Sequence, residues 1–207
     1  MRIGIDFDNT IINYDQVFLG TAKERGLIAK NFAGISKQAV RDAIRLLPDG
    51  EMTWQRLQGL IYSKGIARAV MFEGVDRFLR RAKSEGHTVL IVSHKTEFGH
   101  LDPEQTNLRQ AALDWMTRHN FFTWDGYGIL RQNVYFEGTR AEKLARIASL
   151  GCACFIDDLE EVLDDQAFPA AVKPVLFAAA TMSGHAPAYP LCPTWDDVEK
   201  VVFGEHS

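Results

Sequence analysis

Short apolar runs alternate with longer segments of helical periodicity along most of the chain. Residues 2–7 have a strand pattern that a carboxylate interrupts at Asp6, and residues 88–92 are a nearly continuous apolar run, which is typical of a strand buried on both faces of a sheet. Further short apolar runs occupy residues 134–136, 152–156 and 175–177. Because each of the later runs is separated from the next by a helical pattern or a loop, the sequence predicts an α/β fold with a parallel sheet.

The helical segments begin at residues that favour helix N-termini. The predicted starts are Ser36, Thr53, Gly74, Asp102, Thr139 and Thr194. Glu142 follows Thr139 at capping-box spacing, and Gly151 lies where that helix should end. Residues 168–193 hold five of the seven prolines, so we expect mostly loop there, around one strand.

The order of these elements indicates an insertion. One strand comes first, about sixty residues of helical pattern follow, and the alternation of strands and helices then resumes. We therefore expect a core domain made of residues 1–12 and 73–207, with residues 13–72 forming an inserted helical module.

Composition and charge narrow the class of protein. The 207 residues are 46% apolar and 24% charged, which is typical of a globular chain with a real core. The net charge of −4 argues against nucleic-acid binding, and no stretch reaches the length of about 18 apolar residues that a membrane span needs. The N-terminus has no signal-peptide pattern, and Cys152, Cys154 and Cys192 have no zinc or disulfide spacing. We expect a cytoplasmic protein.

Carboxylate pairs follow two of the predicted strands. Asp6 and Asp8 end the first strand, and Asp157 and Asp158 end the strand over residues 152–156. Ligands of open parallel sheets bind at the carboxyl ends of the strands. Two acids so close together can divide the work of nucleophile or metal ligand and general acid/base, although acid-rich turns are also common. Neighbouring carboxylates repel unless a cation compensates, and Mg²⁺ prefers such oxygen ligands.

Two further polar residues lie where they could meet a phosphoryl group. Ser93 ends the apolar run over residues 88–92, and Lys143 lies in the first turn of the helix that Thr139 opens. A serine hydroxyl can hold a phosphate oxygen, and a lysine can supply a compact positive charge. Taken singly, each is more often a structural residue than a functional one.

The combination is much more specific than its parts. The order strand–Asp-x-Asp-x-Thr, strand–Ser, helix–Lys, strand–Asp-Asp resembles the haloacid dehalogenase (HAD) superfamily of hydrolases over almost the whole chain. The resemblance implies a three-layer Rossmann-like core with a parallel sheet. It also implies that the insertion is the helical cap called type C1.

The resemblance implies a role for each acid of the site. Asp6 would be the nucleophile and a Mg²⁺ ligand, and Asp8 would be the general acid/base with its backbone carbonyl on the metal. Asp157 and Asp158 would complete the metal shell. Asp158 is favoured as the direct ligand, with Asp157 bonding a metal-bound water.

It also implies which residues meet the phosphate. Ser93 and Lys143 would hold phosphoryl oxygens, and Asn9 and Thr10 would add contacts around the phosphate. His94, together with the following lysine, could line the mouth of the pocket, although an ordinary loop position is about as plausible for both.

These roles predict a Mg²⁺-dependent phosphomonoesterase that acts on a small phosphorylated metabolite through an aspartyl-phosphate. A weak likeness of residues 168–195 to HAD proteins of polysaccharide biosynthesis favours a sugar phosphate. Neither a nucleic acid nor a membrane is expected as a partner, and the sequence leaves the oligomeric state open.

Several alternatives remain at this point. A phosphomutase would share the same core residues. A phosphonatase would need a Schiff-base lysine in the cap, where Lys23, Lys30, Lys37 and Lys64 occur. Haloacid dehalogenases lack the second acid of the first motif, so Asp8 argues against dehalogenation. A non-catalytic binding module is disfavoured because all four features are intact.

Overall fold

The chain folds into two units, and each unit draws on more than one segment of the sequence. The computed structural model describes residues 1–99, 104–179, 181, 184 and 186–204. The first unit contains Met1–Ile12, Met71–Lys95 and His119–Ser207, and the second contains Asn13–Val70 and Thr96–Arg118. The second unit thus includes residues 96–118, which the sequence analysis places in the core domain.

The strands of the first unit form one parallel sheet. In chain order the strands are β1 (Arg2–Ile5), β2 (Ile12–Asn13), β3 (Val70–Met71), β4 (Thr88–His94), β5 (Val134–Glu137), β6 (Cys154–Asp157), β7 (Lys173–Phe177) and β8 (Leu191–Cys192). Six of them pair in the order β5-β4-β1-β6-β7-β8, and every pairing in this sheet is parallel. β2 and β3 form a separate two-stranded sheet. The sequence predicted five of the six strands of the main sheet and missed β8, which is only two residues long.

The helices alternate with the strands from β3 to β7. They are α1 (Asp15–Glu24), α2 (Lys37–Arg45), α3 (Gly50–Ser63), α4 (Val75–Ser84), α5 (Leu108–Arg118), α6 (Arg140–Leu150), α7 (Glu160–Leu163) and α8 (Trp195–Phe203). Two short 3-10 helices occupy Gly65–Arg68 and Arg131–Asn133. The sequence analysis did not locate α1, and its predicted helix start at Asp102 and Pro103 lies outside the described residues.

Helices cover both faces of the six-stranded sheet. On one face, α6 and α7 bury apolar side chains against the strands, with Ile147 in the same cluster as Leu90 and Phe155. On the other face, α4 packs on β4 and α8 packs on β7, and the rings of Phe78 and Trp195 meet edge to face at 4.9 Å. The predicted α/β fold with a three-layer Rossmann-like core is therefore confirmed.

The caps show where local sequence decides a helix start. Ser36, Thr139 and Thr194 each accept a hydrogen bond from the backbone N–H three residues later, as predicted. The prediction of a start at Thr53 is wrong. Asp49 turns the chain in the left-handed conformation, and the N–H of Thr53 already bonds the carbonyl of Asp49, so the helix has begun.

The second unit is built around aromatic side chains of its helices. The rings of Phe18 and Trp54 stack at 4.9 Å, and the rings of Tyr14 and Tyr62 meet edge to face at 5.0 Å. The indole N–H of Trp115 in α5 donates to the carbonyl of Ala69. That bond explains why α5 belongs to this unit although the strands of the first unit flank it in sequence.

Within the described ranges, no helix combines the length and the apolar character that crossing a membrane requires.

Candidate active site

A tight loop after β1 carries the first two acids. The N–H of Asp6 donates to the carbonyl of Ile156 in β6, so this residue still lies in the sheet. The N–H groups of Ile11 and Ile12 both donate to the carbonyl of Phe7, which closes the loop. Asn9 has a φ of 61°, a left-handed conformation that asparagine adopts more readily than most residues. Asn9, which the sequence analysis predicted to contact the phosphate, thus also shapes the loop.

A buried lysine joins two acids from different strands. The Nζ atom of Lys143 lies 2.7 Å from Oδ1 of Asp6 and 2.6 Å from Oδ2 of Asp157, and all three side chains are almost fully buried. The capping box of Thr139 and Glu142 fixes the start of α6 and so directs Lys143 toward the carboxyl ends of the strands. The sequence placed these three residues at one edge of the sheet, and the structure brings them into contact.

This burial shifts the pKa values of the cluster. Burial raises the pKa of Asp6 well above its usual range, and the neighbouring carboxylates of Asp157, Asp158 and Asp8 raise it further, against the opposing effect of Lys143. Burial alone lowers the pKa of Lys143, but the negative charges of Asp157 and Asp6 outweigh it and hold the lysine protonated. The carboxyl groups of Asp6, Asp157 and Asp158 thus outnumber the one ammonium group, that of Lys143, which lies between Asp6 and Asp157.

Three carboxylates lie close enough together to share a cation. Oxygen atoms of Asp6, Asp157 and Asp158 all lie within 4.8 Å of one another. Carboxylate oxygens are the ligands that Mg²⁺ prefers, and this group contains no thiolate or imidazole that would favour zinc. The donor set therefore fits the Mg²⁺ that the resemblance implies.

The two adjacent acids of this group differ in what surrounds them. Asp157 is fully buried, and its Oδ1 accepts from the N–H of Leu159 while its Oδ2 accepts from Lys143. Asp158 is partly exposed, and its Oδ1 lies 3.4 Å from the hydroxyl of Thr10. Both oxygens of Asp157 are thus committed to protein groups, whereas Asp158 faces the site with less burial.

Ser93 is a buried hydroxyl at the end of the neighbouring strand. β1 and β4 pair with Ile5 opposite Ile91, so Asp6 and Ser93 come one and two residues later on adjacent strands. Ser93 is 1% exposed, and its Oγ has no hydrogen-bond partner within the described ranges. An unpaired buried hydroxyl costs free energy, so a group that bonded to this atom would recover that cost.

The residues after Ser93 alternate in direction along the extended backbone. Lys95 is buried, and its Nζ atom lies 2.7 Å from Oδ2 of Asp8. His94 is exposed, and its ring bonds the carbonyl of Gly138. The sequence analysis assigned His94 to the phosphate site and named Lys95 only as a residue that could line the mouth of the pocket. The period-two alternation of a strand, which puts Lys95 on the side of Ser93, is the signal that could have found it.

A residue of the last helix forms a hydrogen bond with the backbone of Thr10. Its carbonyl accepts a hydrogen bond of 3.0 Å from the indole N–H of Trp195, and the residue is fully buried. Sequence reasoning could not predict this contact, because 185 residues separate the two partners. Thr10, which the sequence assigned to the phosphate, thus contacts Asp158 and α8.

Solved structures with the same fold come from several kinds of protein. One is a HAD-superfamily hydrolase from Ehrlichia chaffeensis, with 15% identity, 97% of this chain and 94% of that chain covered, and a TM-score of 0.56. Another is the protein tyrosine kinase A of Mycobacterium tuberculosis, with 13% identity, coverage of 98% and 97%, and a TM-score of 0.62. A third is a predicted phosphoglycolate phosphatase from Haemophilus somnus 129pt, with 14% identity, coverage of 96% of each chain, and a TM-score of 0.53.

The comparisons of sequence give no further relative, since neither a protein-family profile nor a curated protein matches the chain. The structural likeness extends over nearly the full length of both partners in each case. This chain therefore has the fold of the HAD-superfamily hydrolases.

Proposed function

We propose that this protein is a Mg²⁺-dependent phosphomonoesterase of the HAD superfamily, which hydrolyses a small phosphorylated metabolite through an aspartyl-phosphate at Asp6. The observation that carries the proposal is the cluster of Asp6, Asp157, Asp158 and Lys143 at the carboxyl edge of the sheet. The buried hydroxyl of Ser93 on the adjacent strand, which has no hydrogen-bond partner among the described residues, supports it, because that atom suits a phosphoryl oxygen.

Asp6, Asp158 and the backbone carbonyl of Asp8 would hold the metal ion. Asp157, whose two oxygens already accept hydrogen bonds, would orient the site and bond a metal-bound water. When bound, Mg²⁺ supplies positive charge that lets a phosphate dianion approach a carboxylate.

The protein's own groups then carry out two displacements at phosphorus. A carboxylate oxygen of Asp6 attacks, a bond forms between that oxygen and phosphorus, and the bond to the leaving oxygen breaks. Asp8 gives a proton to the leaving oxygen. In the second step Asp8 takes a proton from water, the water oxygen bonds to phosphorus, and the Asp6 carboxylate leaves.

Lys143 and Ser93 stabilise the phosphoryl group during these steps. Lys143 offsets the charge of Asp6 and Asp157, so that the approach of an anion is not met by three uncompensated acids. The hydroxyl of Ser93, which has no hydrogen-bond partner in the part of the chain that the structure describes, would donate a hydrogen bond to a phosphoryl oxygen. Contacts of Asn9, Thr10 and His94 with the phosphate are part of the same proposal.

A sugar phosphate is the substrate class that we favour. We also propose that the helical insertion, residues 13–72, is a C1 cap. Structures of dehalogenases also have this fold, but Asp8 supplies the second acid that phosphoryl transfer needs. We place the protein in the cytoplasm, which agrees with three buried cysteines that form no disulfide.

The test measures phosphate release from an aryl phosphate and from a panel of phosphorylated metabolites, with Mg²⁺ and with excess EDTA. We expect turnover only with Mg²⁺, and none for Asp6→Asn. The matched control is Asp42→Asn, which removes an exposed carboxylate of α2 and should leave turnover unchanged. Rapidly quenched wild-type protein should carry one added phosphate at Asp6 by intact mass and peptide mapping.

Three results would contradict the proposal. Full turnover in EDTA would exclude the metal, turnover by Asp6→Asn would exclude the nucleophile, and a phosphate on Ser93 or His94 would exclude the mechanism. An adduct on a cap lysine after borohydride treatment with a phosphono-aldehyde would favour the phosphonatase instead. Release of halide from a haloacid without phosphatase activity would favour a dehalogenase.

A further inference from the structure

Lys95 is a second buried lysine at the candidate site. It follows the last residue of β4 and is 4% exposed, so its ammonium group is largely withdrawn from water. Its Nζ atom lies 2.7 Å from Oδ2 of Asp8. A buried ammonium group is costly unless a counter-charge compensates it, so this pair is part of how the loop and the strand fit together.

The backbone of Lys95 is fixed as firmly as its side chain. Its N–H donates to the carbonyl of Glu137 at 2.9 Å, which extends the ladder between β4 and β5 by one residue. Ser93 and Lys95 therefore project to the same side of the strand, and His94 projects to the other. One short segment delivers both a hydroxyl and an ammonium group to the carboxyl edge of the sheet.

Asp8 lies on a loop that the backbone holds from both sides. It pairs with Ile12 in an isolated bridge, and its side chain is 17% exposed. A carboxyl group on a loop can rotate about two side-chain torsions, and proton transfer needs it within hydrogen-bond reach of the reacting oxygen. The ion pair with Lys95 restricts that rotation.

We propose that Lys95 is a positioning residue that holds the Asp8 carboxyl group by Oδ2 and so assigns the transferred proton to Oδ1. This inference rests on the phosphomonoesterase function proposed above. Lys95 keeps its own protons throughout. In the first step the O–H bond at Oδ1 breaks as the proton passes to the leaving oxygen, and in the second step Oδ1 takes a proton from the attacking water. Oδ2 stays paired with the Lys95 ammonium group in both states.

The role predicts an effect that depends on the leaving group. A leaving oxygen of high pKa needs protonation as its bond breaks, whereas an activated aryl oxide leaves without it. Loss of the ion pair between Lys95 and Asp8 should therefore slow poor leaving groups much more than good ones. A lysine that only maintained the fold would change all substrates by the same factor.

The experiment compares kcat/KM for a series of aryl phosphates, from dinitrophenyl phosphate to phenyl phosphate, in wild type, Lys95→Met and Asp8→Asn. For Lys95→Met we expect a loss of about 10²-fold with phenyl phosphate and under about 5-fold with dinitrophenyl phosphate, within the range of general acid catalysis. Lys95→Gln, which keeps a donor and the approximate length, covers the case in which Lys95→Met does not fold. It should show the same trend, with a smaller loss. Lys200→Met, an exposed lysine of α8, is the matched control and should follow wild type.

A double substitution separates positioning from a general effect. Because Lys95 acts through Asp8, adding Lys95→Met to Asp8→Asn should cost less than 3-fold more with phenyl phosphate. Equal losses for every leaving group, or a full additional loss in the double variant, would overturn the inference while the phosphatase function stands. Lack of wild-type turnover, or turnover by Asp6→Asn, would instead overturn the proposed function.

Discussion

Two buried carboxylates of the first unit have opposite surroundings. Glu199 of α8 accepts hydrogen bonds from Arg77 and Arg81 of α4, at 2.8 and 3.0 Å. Asp6 shares the single ammonium group of Lys143 with Asp157 and has further carboxylates close by. The first acid thus contacts two guanidinium groups, each of which also pairs with one further acid, Asp196 or Glu85, whereas the second acid shares one ammonium group.

The pKa values follow this difference. Burial alone raises the pKa of Glu199, but the hydrogen bonds and charges of Arg77 and Arg81 outweigh it and leave the pKa below its usual value. Burial raises the pKa of Asp6, and Lys143 does not compensate. At Glu199, cations of the chain itself outweigh the effect of burial on the pKa. At Asp6 they do not, and the proposed cation would supply the compensating charge.

The largest expected effect comes from removing the one cation between Asp6 and Asp157. Lys143→Met should lower kcat/KM by about 10³-fold, because a charge that stabilises the phosphoryl group is lost. It should also destabilise the protein by about 3–5 kcal/mol, since two buried carboxylates lose their partner. Urea unfolding and aryl phosphate turnover measure both effects. Lys143→Arg keeps the charge and should be the more stable variant of the two, and equal stability would contradict the account.

Adding Mg²⁺ to the cluster of Asp6, Asp157 and Asp158 should have the next largest effect on stability. Mg²⁺ at about 100 times its Kd should stabilise the protein by about 2.7 kcal/mol, because it binds only the folded site. Thermal unfolding with and without Mg²⁺ measures this shift without any substrate. Asp158→Asn should abolish most of it. A shift of the same size in this variant would mean that the ion binds elsewhere.

Breaking the contacts of Glu199 with Arg77 and Arg81 should lower the stability of the protein and leave catalysis unchanged. Glu199→Gln should destabilise the protein by about 2 kcal/mol at neutral pH, because two arginines lose a buried anionic acceptor. Its folded pKa is lowered, so its contribution is present above the usual glutamate pKa of about 4.3 and is lost as the pH falls below that value. The difference in urea midpoint from wild type should therefore shrink toward pH 3, while kcat/KM at neutral pH stays within about 2-fold.

The smallest effect has the opposite sign. Asp6→Asn removes one surplus carboxylate and should stabilise the metal-free protein by about 1 kcal/mol, although it abolishes turnover. Unfolding in EDTA measures this gain. Destabilisation of this variant by as much as Glu199→Gln would show that the two clusters do not differ as described.

The sequence predicted the fold because its buried strands are continuous apolar runs and its helices carry local caps. The cap side chains of Ser36, Thr139 and Thr194 each bond a backbone N–H only three residues later, so the sequence alone predicts their role. α1 has no such side-chain cap, since Tyr14 precedes it, and β8 is two residues long. These elements depend on packing with distant segments, which local patterns do not record.

The candidate site was predictable where residues of known chemistry end predicted strands. Asp6 and Asp157 met this condition, Lys143 lay in the first turn of a predicted helix, and the structure joins all three. The pairing of Asp8 with Lys95 depends on where two loops from adjacent strands meet, and spacing along the chain does not reveal it. The roles of these residues in catalysis stay predictions.

The hydrogen bond from Trp195 to the carbonyl of Thr10 has a consequence for the order of synthesis. The ribosome releases Asp6 and Asp8 first, long before Lys143 and Trp195. The acids therefore leave the exit tunnel without the lysine that compensates them and without the helix that supports their loop. Each newly made molecule can complete the candidate site only after translation has passed residue 195, and a chain that stalls earlier carries the acids without the helix that supports their loop.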